Sequence, residues 1–185
     1  MTAEHMKIQA RRVVAGLDAD GRSTIISDEN TRARVAAPAF TVMNLWQTDR
    51  LPPRLDDVDG LGAVTLLPPL GSAMYRITTF PPDGQCDEAG FKESLAAIGG
   101  GDSQDDSSDQ DDSSDVVGLH ATDSIDISTV LTGELYAVLE NGETALRPGD
   151  TFVQRGGNHT WSNRSGEPVT FVTLTIPAVR DRSGA

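Results

Sequence analysis

Between residues 125 and 176 the chain is interrupted at short, even intervals by glycine-bearing turn signals: Thr132-Gly133, Asn141-Gly142, Pro148-Gly149 and Gly156-Gly157. No helix of useful length fits between them, whereas short strands do. Asn-Gly is the pair a two-residue hairpin turn demands, because both central positions need a positive φ. The segments 125–131, 134–139, 144–146, 151–154, 159–162 and 169–176 are correspondingly rich in β-branched and aromatic residues. Many short strands joined by tight turns predict an all-β barrel or sandwich.

Upstream the pattern is sparser. Two strands around Asp18-Ala19-Asp20-Gly21 read as a hairpin, and the apolar run 39–46 reads as another strand, stopped by prolines at 52 and 53. Residues 56–69 read as loop, and 72–80 as a strand closed by Pro81 and Pro82. Phe91, Leu95 and Ile98 fall at helical spacing, which predicts one short helix ended by Gly99-Gly100-Gly101.

Next comes an acidic low-complexity tract, 102–115, with seven aspartates and no base. Such a segment cannot bury enough apolar surface to order itself. The expected organisation of the 185 residues is a loose tail (1–10), N-terminal strands and a short helix packed on the barrel (11–98), an acidic loop (99–115), the barrel core (116–177) and a C-terminal tail (178–185).

Charge and motifs narrow the function. The net charge is −13, of which the tract contributes seven, leaving −6 for the rest. That balance predicts neither a nucleic acid nor an anionic membrane as partner. Cys86 is the single cysteine, so no internal disulfide forms, and a cytoplasmic location is expected. Cys86 lies among acids that raise a thiol's pKa, which argues against a nucleophile. The chain contains no P-loop, G-x-S-x-G, C-x-x-C or H-E-x-x-H.

What remains is a sparse polar set. The chain has three histidines, and His5 sits in the loose tail, where it reads as having no role. His120, Thr122, Ser124 and Asp126 are spaced by two, so an extended strand presents them on one face. If His159 reaches that face from a later strand, two imidazoles and a carboxylate suit Fe, Mn, Ni, Co or Zn in the divalent state. Gln154 precedes His159 on its strand and is a weak fourth oxygen ligand. Asp126 is the general base if it does not reach the metal. Thr122 or Asn163 would orient the histidine rings. Trp161 and Tyr136 read as barrel packing or as the wall of a substrate pocket, and Asp123 reads as a partner for Arg155. The alternative is a metal-free barrel in which both histidines are simply hydrogen-bonded.

Two stretches carry a family resemblance. His120-Ala-Thr-Asp-Ser-Ile-Asp126 followed by VLTGE, and VQRGGNHTWSNRSGEP with its His159-x3-Asn163 spacing, resemble the two motifs of the cupin superfamily. The resemblance sets His120 at the first histidine, Thr122 at the second and Asp126 at the glutamate. Arg155 stands where proline is expected. It implies a double-stranded β-helix of the jelly-roll type, a metal-dependent enzyme acting on a small oxygen-bearing molecule, and a homodimer built through N-terminal strands. A non-catalytic barrel that binds or senses a small ligand is the other function the resemblance implies.

Overall fold

Strand pairing in the computed structural model is antiparallel throughout and follows the predicted turns. The structure describes residues 3–100 and 118–180; the acidic tract 102–115 lies outside them. The strands are β1 (Arg11–Leu17), β2 (Ser23–Asn30), β3 (Arg34–Ala37), β4 (Phe40–Thr48) and β5 (Ala73–Phe80), followed by helix α1 (Glu88–Ala96). Then come β6 (Ser124–Thr132), β7 (Leu135–Leu139), β8 (Gly142–Leu146), β9 (Thr151–Arg155), β10 (His159–Ser162) and β11 (Val169–Pro177).

A six-stranded sheet in the order β3-β4-β5-β11-β6-β9 faces a three-stranded sheet, β10-β7-β8. Between them lies a core of Val130, Leu135, Ala137, Leu146, Val169 and Phe171, with Phe80, Phe152 and Trp161 packed against it. Burial of these side chains is the main driving force that holds the sheets together. This is the expected all-β jelly-roll. One boundary needs correction: residues 116–177 are not the whole barrel. Strands β3, β4 and β5 belong to the same sheet as β11 and β6, since the full length of β5 pairs with β11.

The helix matches its prediction. Asp87 caps it by accepting from Gly90 N at 2.8 Å, and Gly99 at φ 72° ends it. Phe91, Leu95 and Ile98 pack with Phe40, Val42 and Val64 in a second core. Ser94 Oγ accepts from Ala39 N at 2.9 Å, which ties the helix to the β3–β4 turn.

The N-terminus corrects another expectation. Residues 4–7 form a 3-10 turn, and His5, read as functionless in a loose tail, is buried. Its Nε2 lies 3.1 Å from Ala37 O, and Thr41 Oγ1 donates to His5 O at 2.9 Å. The turn thereby covers the outer side of β3 and β4. Helical or turn propensity over four residues was too weak a signal to predict it.

Register places the inward-facing side chains in rows. Val42, Thr78, Phe171 and Val130 stand side by side across β4, β5, β11 and β6. Beside them run Asn44, Arg76, Thr173, Ser128 and, on β9, Phe152. The outermost row is Gln47, Met74, Thr175, Asp126 and Gln154. The interior therefore grades from apolar at one end to polar at the other.

Candidate functional site

The polar end is closed by the two histidines. His120 precedes β6 and makes an isolated antiparallel bridge with His159, the first residue of β10. Backbone bonds run both ways, His120 N to His159 O at 3.0 Å and His159 N to His120 O at 2.9 Å. The imidazole centroids are 4.6 Å apart. His159, on the same face of its strand as Trp161, is buried; His120 is half-buried. The approach of His159 to the face that carries His120, a condition in the sequence reading, is met in the structure.

Each ring has a defined partner. His120 Nδ1 lies 2.8 Å from Gly118 O, which accepts from it and leaves Nε2 with a free lone pair. His159 Nδ1 lies 3.1 Å from Gly157 O and 3.1 Å from Gln154 Nε2. Donation to the carbonyl frees Nε2 to bind a ligand; acceptance from the amide puts the proton on Nε2, where it can be donated. Gln154 Nε2 also donates to Gly157 O. Burial holds the His159 pKa below the usual histidine value, reinforced by His120, while Gly157 O and Asp126 act in the opposite direction.

Asp126 is half-buried and inward-facing, beside Gln154 in the register of β6 and β9. Ser124 Oγ donates to its Oδ2 at 2.7 Å and lies 2.9 Å from Thr122 Oγ1. Thr122, Ser124 and Asp126 thus form a hydrogen-bonded chain along one face, as their spacing predicted. The expected facial metal centre is not preassembled. Among the described residues, no three histidine, cysteine, aspartate or glutamate side chains come close enough to hold an ion. An aspartate is one methylene shorter than a glutamate, and here its oxygen is engaged by Ser124. The donor set that fits a metal is the pair of imidazoles.

Three supporting roles also change. Tyr136 faces away from the site: it alternates with the core residues Leu135 and Ala137, and its ring lies 4.2 Å beneath the Arg164 guanidinium. Asn163 orients no histidine. Its amide donates to Glu167 O at 2.8 Å and accepts from Ser165 Oγ at 2.7 Å, fixing the turn into β11. Asp123 pairs with Arg180, at 2.8 Å, instead of Arg155. Trp161 packs inside against Phe171, with centroids 5.3 Å apart, and edge-on to His159 at 6.2 Å. Burial, more than its acidic neighbours, raises the Cys86 thiol pKa.

An opening without histidines lies at the surface. A cleft of about 310 Å³ lies between Arg12, Glu29, Arg32, Asp59 and Leu61, far in sequence from the histidine pair. The chemistry of the chain is not there: its ionic groups pair with each other, Arg12 with Asp59 at 2.5 Å and Arg32 with Glu29 at 3.1 Å.

Two facing antiparallel sheets, with the paired motif histidines at the polar end of their interior, settle the architecture. The chain has a cupin-type fold. No family model matches the sequence. A stretch of 60 residues is 50% identical to phomopsin biosynthesis cluster protein C' of Diaporthe leptostromiformis, over 30% of this chain and 32% of that one. Oryzines biosynthesis cluster protein J of Aspergillus oryzae is 47% identical over 47 residues, 25% of this chain and 26% of that one. The chain thus spans about a third of the length of the first of these relatives. Among solved structures, KdgF from Halomonas sp. is similar at TM-score 0.43 and 14% identity, covering 80% of this chain and 86% of that one. The Cupin_2 domain of an XRE family transcriptional regulator from Enterobacter cloacae is similar at TM-score 0.35 and 16% identity, covering 58% and 83%. No helix among the described residues is long and apolar enough to cross a membrane.

Proposed function

We propose that this chain is a small-molecule cupin enzyme acting on an oxygen-bearing organic compound at the polar end of the barrel. The observation that carries the reading is the pairing of His120 and His159 beside the inward-facing Asp126 and Gln154. A divalent transition metal (Fe, Mn, Ni, Co or Zn) would be held by Nε2 of each histidine. Bound there, it would supply Lewis acidity toward the substrate's oxygens. Asp126 would accept a substrate proton, with Ser124 stabilising its charged form by a hydrogen bond. Gln154 and Gly157 set the proton of His159, and Trp161 walls the inner side. The reaction class consistent with these groups is proton transfer, decarboxylation, elimination or an oxidation by O2. Partial identity to proteins named for biosynthesis clusters supports a biosynthetic intermediate as substrate.

Elemental analysis of untagged protein, beside His120→Ala and His159→Ala, tests the site. A near-stoichiometric transition metal, lost in either variant, is the expected result. Full metal content in His159→Ala would sink the assignment. A second reading is a non-catalytic barrel that binds a small ligand, since among the described residues no third histidine, cysteine or carboxylate converges on the histidine pair. Protein that stays metal-free after addition of each metal would select it.

A homodimer belongs to the same proposal. Among the described residues the β1–β2 ribbon pairs with no other strand, and Val13, Leu17, Ile25 and Ile26 are exposed on it. An isolated two-stranded ribbon is marginal in water, so covering it with a second copy is favourable. Light scattering should give twice the chain mass; a monomer removes this part of the proposal.

A further inference from the structure

The middle row of the barrel interior holds a buried charge, Arg76, that makes no ion pair among the described residues. Arg76 is 7% exposed, and among the described residues no carboxylate lies within ion-pair distance of it. Its Nη2 donates to the Thr65 carbonyl at 2.6 Å and to Met74 Sδ at 2.7 Å, and its Nε, fully buried, has no acceptor. Its register partner Asn44 is 0% exposed, and neither Oδ1 nor Nδ2 of that amide has a partner. Three orphaned polar atoms therefore sit on adjacent inward positions. An arginine kept only for packing would be paired, because an unpaired buried charge is strongly unfavourable. Native proteins leave very few such groups unsatisfied, and a cluster of them signals a missing polar partner.

We propose that Arg76 and Asn44 form the recognition site for a single carboxylate group of the barrel's small-molecule ligand. This rests on the reading of the interior as a small-molecule site, and adds the chemical class of its occupant: an organic acid. The planar guanidinium offers parallel N–H donors that match a carboxylate's two oxygens, with Nε among them. The Asn44 amide supplies a further donor to the same group. One guanidinium balances one negative charge; Asp126, on the neighbouring row, disfavours a doubly charged phosphate. The Thr65 carbonyl already accepts from Nη2, so the acid competes with it for that donor. Burial lowers the Arg76 pKa to about 10, an effect that the Asp126 charge partly opposes, so the side chain remains cationic at neutral pH.

The row order also orients the ligand. With its carboxylate at Arg76, the remainder of the molecule lies toward Asp126 and Gln154 in the next row, and toward His159, which Gln154 contacts. The acid group is then a handle, and the reacting part is elsewhere on the molecule.

Calorimetry and thermal shift on the full chain, stripped of metal by chelation, test this with matched probes: acetate, malonate and benzoate against acetamide, malonamide and benzamide, with inorganic phosphate as a further arm. At least one acid should bind ten-fold or more tightly than its amide. Arg76→Gln should erase that preference while His120→Ala keeps it. Asn44→Asp places a carboxylate beside the guanidinium, and should raise the Tm and exclude the acids; it serves if Arg76→Gln does not fold. Acids and amides binding alike, no acid binding, acid preference surviving in Arg76→Gln or Asn44→Asp, or phosphate taking the site in preference would each overturn the assignment. Acid binding through Arg76 in a protein that takes up no metal would leave this inference standing while the metal-dependent reading falls.

Discussion

Phe171→Ala is expected to destabilise the protein by about 3–5 kcal/mol, the range for removing a buried aromatic side chain from a core. Phe171 is buried at the centre of β11, the strand shared between β5 and β6. Its ring stacks on Phe80 with centroids 5.5 Å apart and on Trp161 at 5.3 Å, so it joins the six-stranded sheet to the three-stranded one. Two aromatic neighbours anchored on different sheets cannot both close the gap, so most of the cavity would persist. Equilibrium urea unfolding measures the loss. A change below about 1 kcal/mol, the level of a tolerated volume-conserving swap, would show that the sheets are not held together here.

Asn163→Ala is expected to cost about 1–3 kcal/mol, from a buried amide whose hydrogen bonds to the turn, at roughly 0.5–1.5 kcal/mol each, are lost and only partly replaced by water at exposed Ser165 and Glu167. The Asn163 side chain is 1% exposed by residue and serves Glu167 O, Phe80 O and both the amide and hydroxyl of Ser165. It fixes the turn that feeds β11 into the middle of the sheet. Its metal content should be unchanged, because it touches neither histidine. Loss of metal at full stability would instead return Asn163 to the site.

The hairpin near Asn141-Gly142 and the chain Thr122–Ser124–Asp126 were legible because each is a local pattern, a turn signal and a period of two. The loop residues of that hairpin are Glu140 and Asn141, however, and Asn141 does not take the positive φ expected of it. The strand β3 was not, since Arg34–Ala37 carries no alternation and forms only by pairing with β4. Nor was burial of His5, which depends on β3 and β4 being in place. Tyr136 and Asn163 were misassigned for a shared reason. Spacing says which residues share a face, but it does not say which face looks inward or which neighbour captures an amide. Arg76 was invisible as a candidate: in sequence it is one base in an alternating strand, and only register shows it stranded beside Asn44.

The position of β11 has a consequence for how the protein is made. It is the last of the described strands in chain order, yet it lies between β5 and β6, and its partner on β5 is about ninety residues earlier, as in Phe171 with Thr78. During synthesis, β3, β4 and β5 leave the ribosome as one patch of sheet, and β6 and β9 as another, with an open edge on each. Neither patch can join the other until the final strand emerges. Long-range closure of this kind is slow, and exposed edges in the waiting state favour aggregation. A nascent chain stalled before residue 169 should therefore depend on holdase chaperones, and release of the full chain would turn that dependence off.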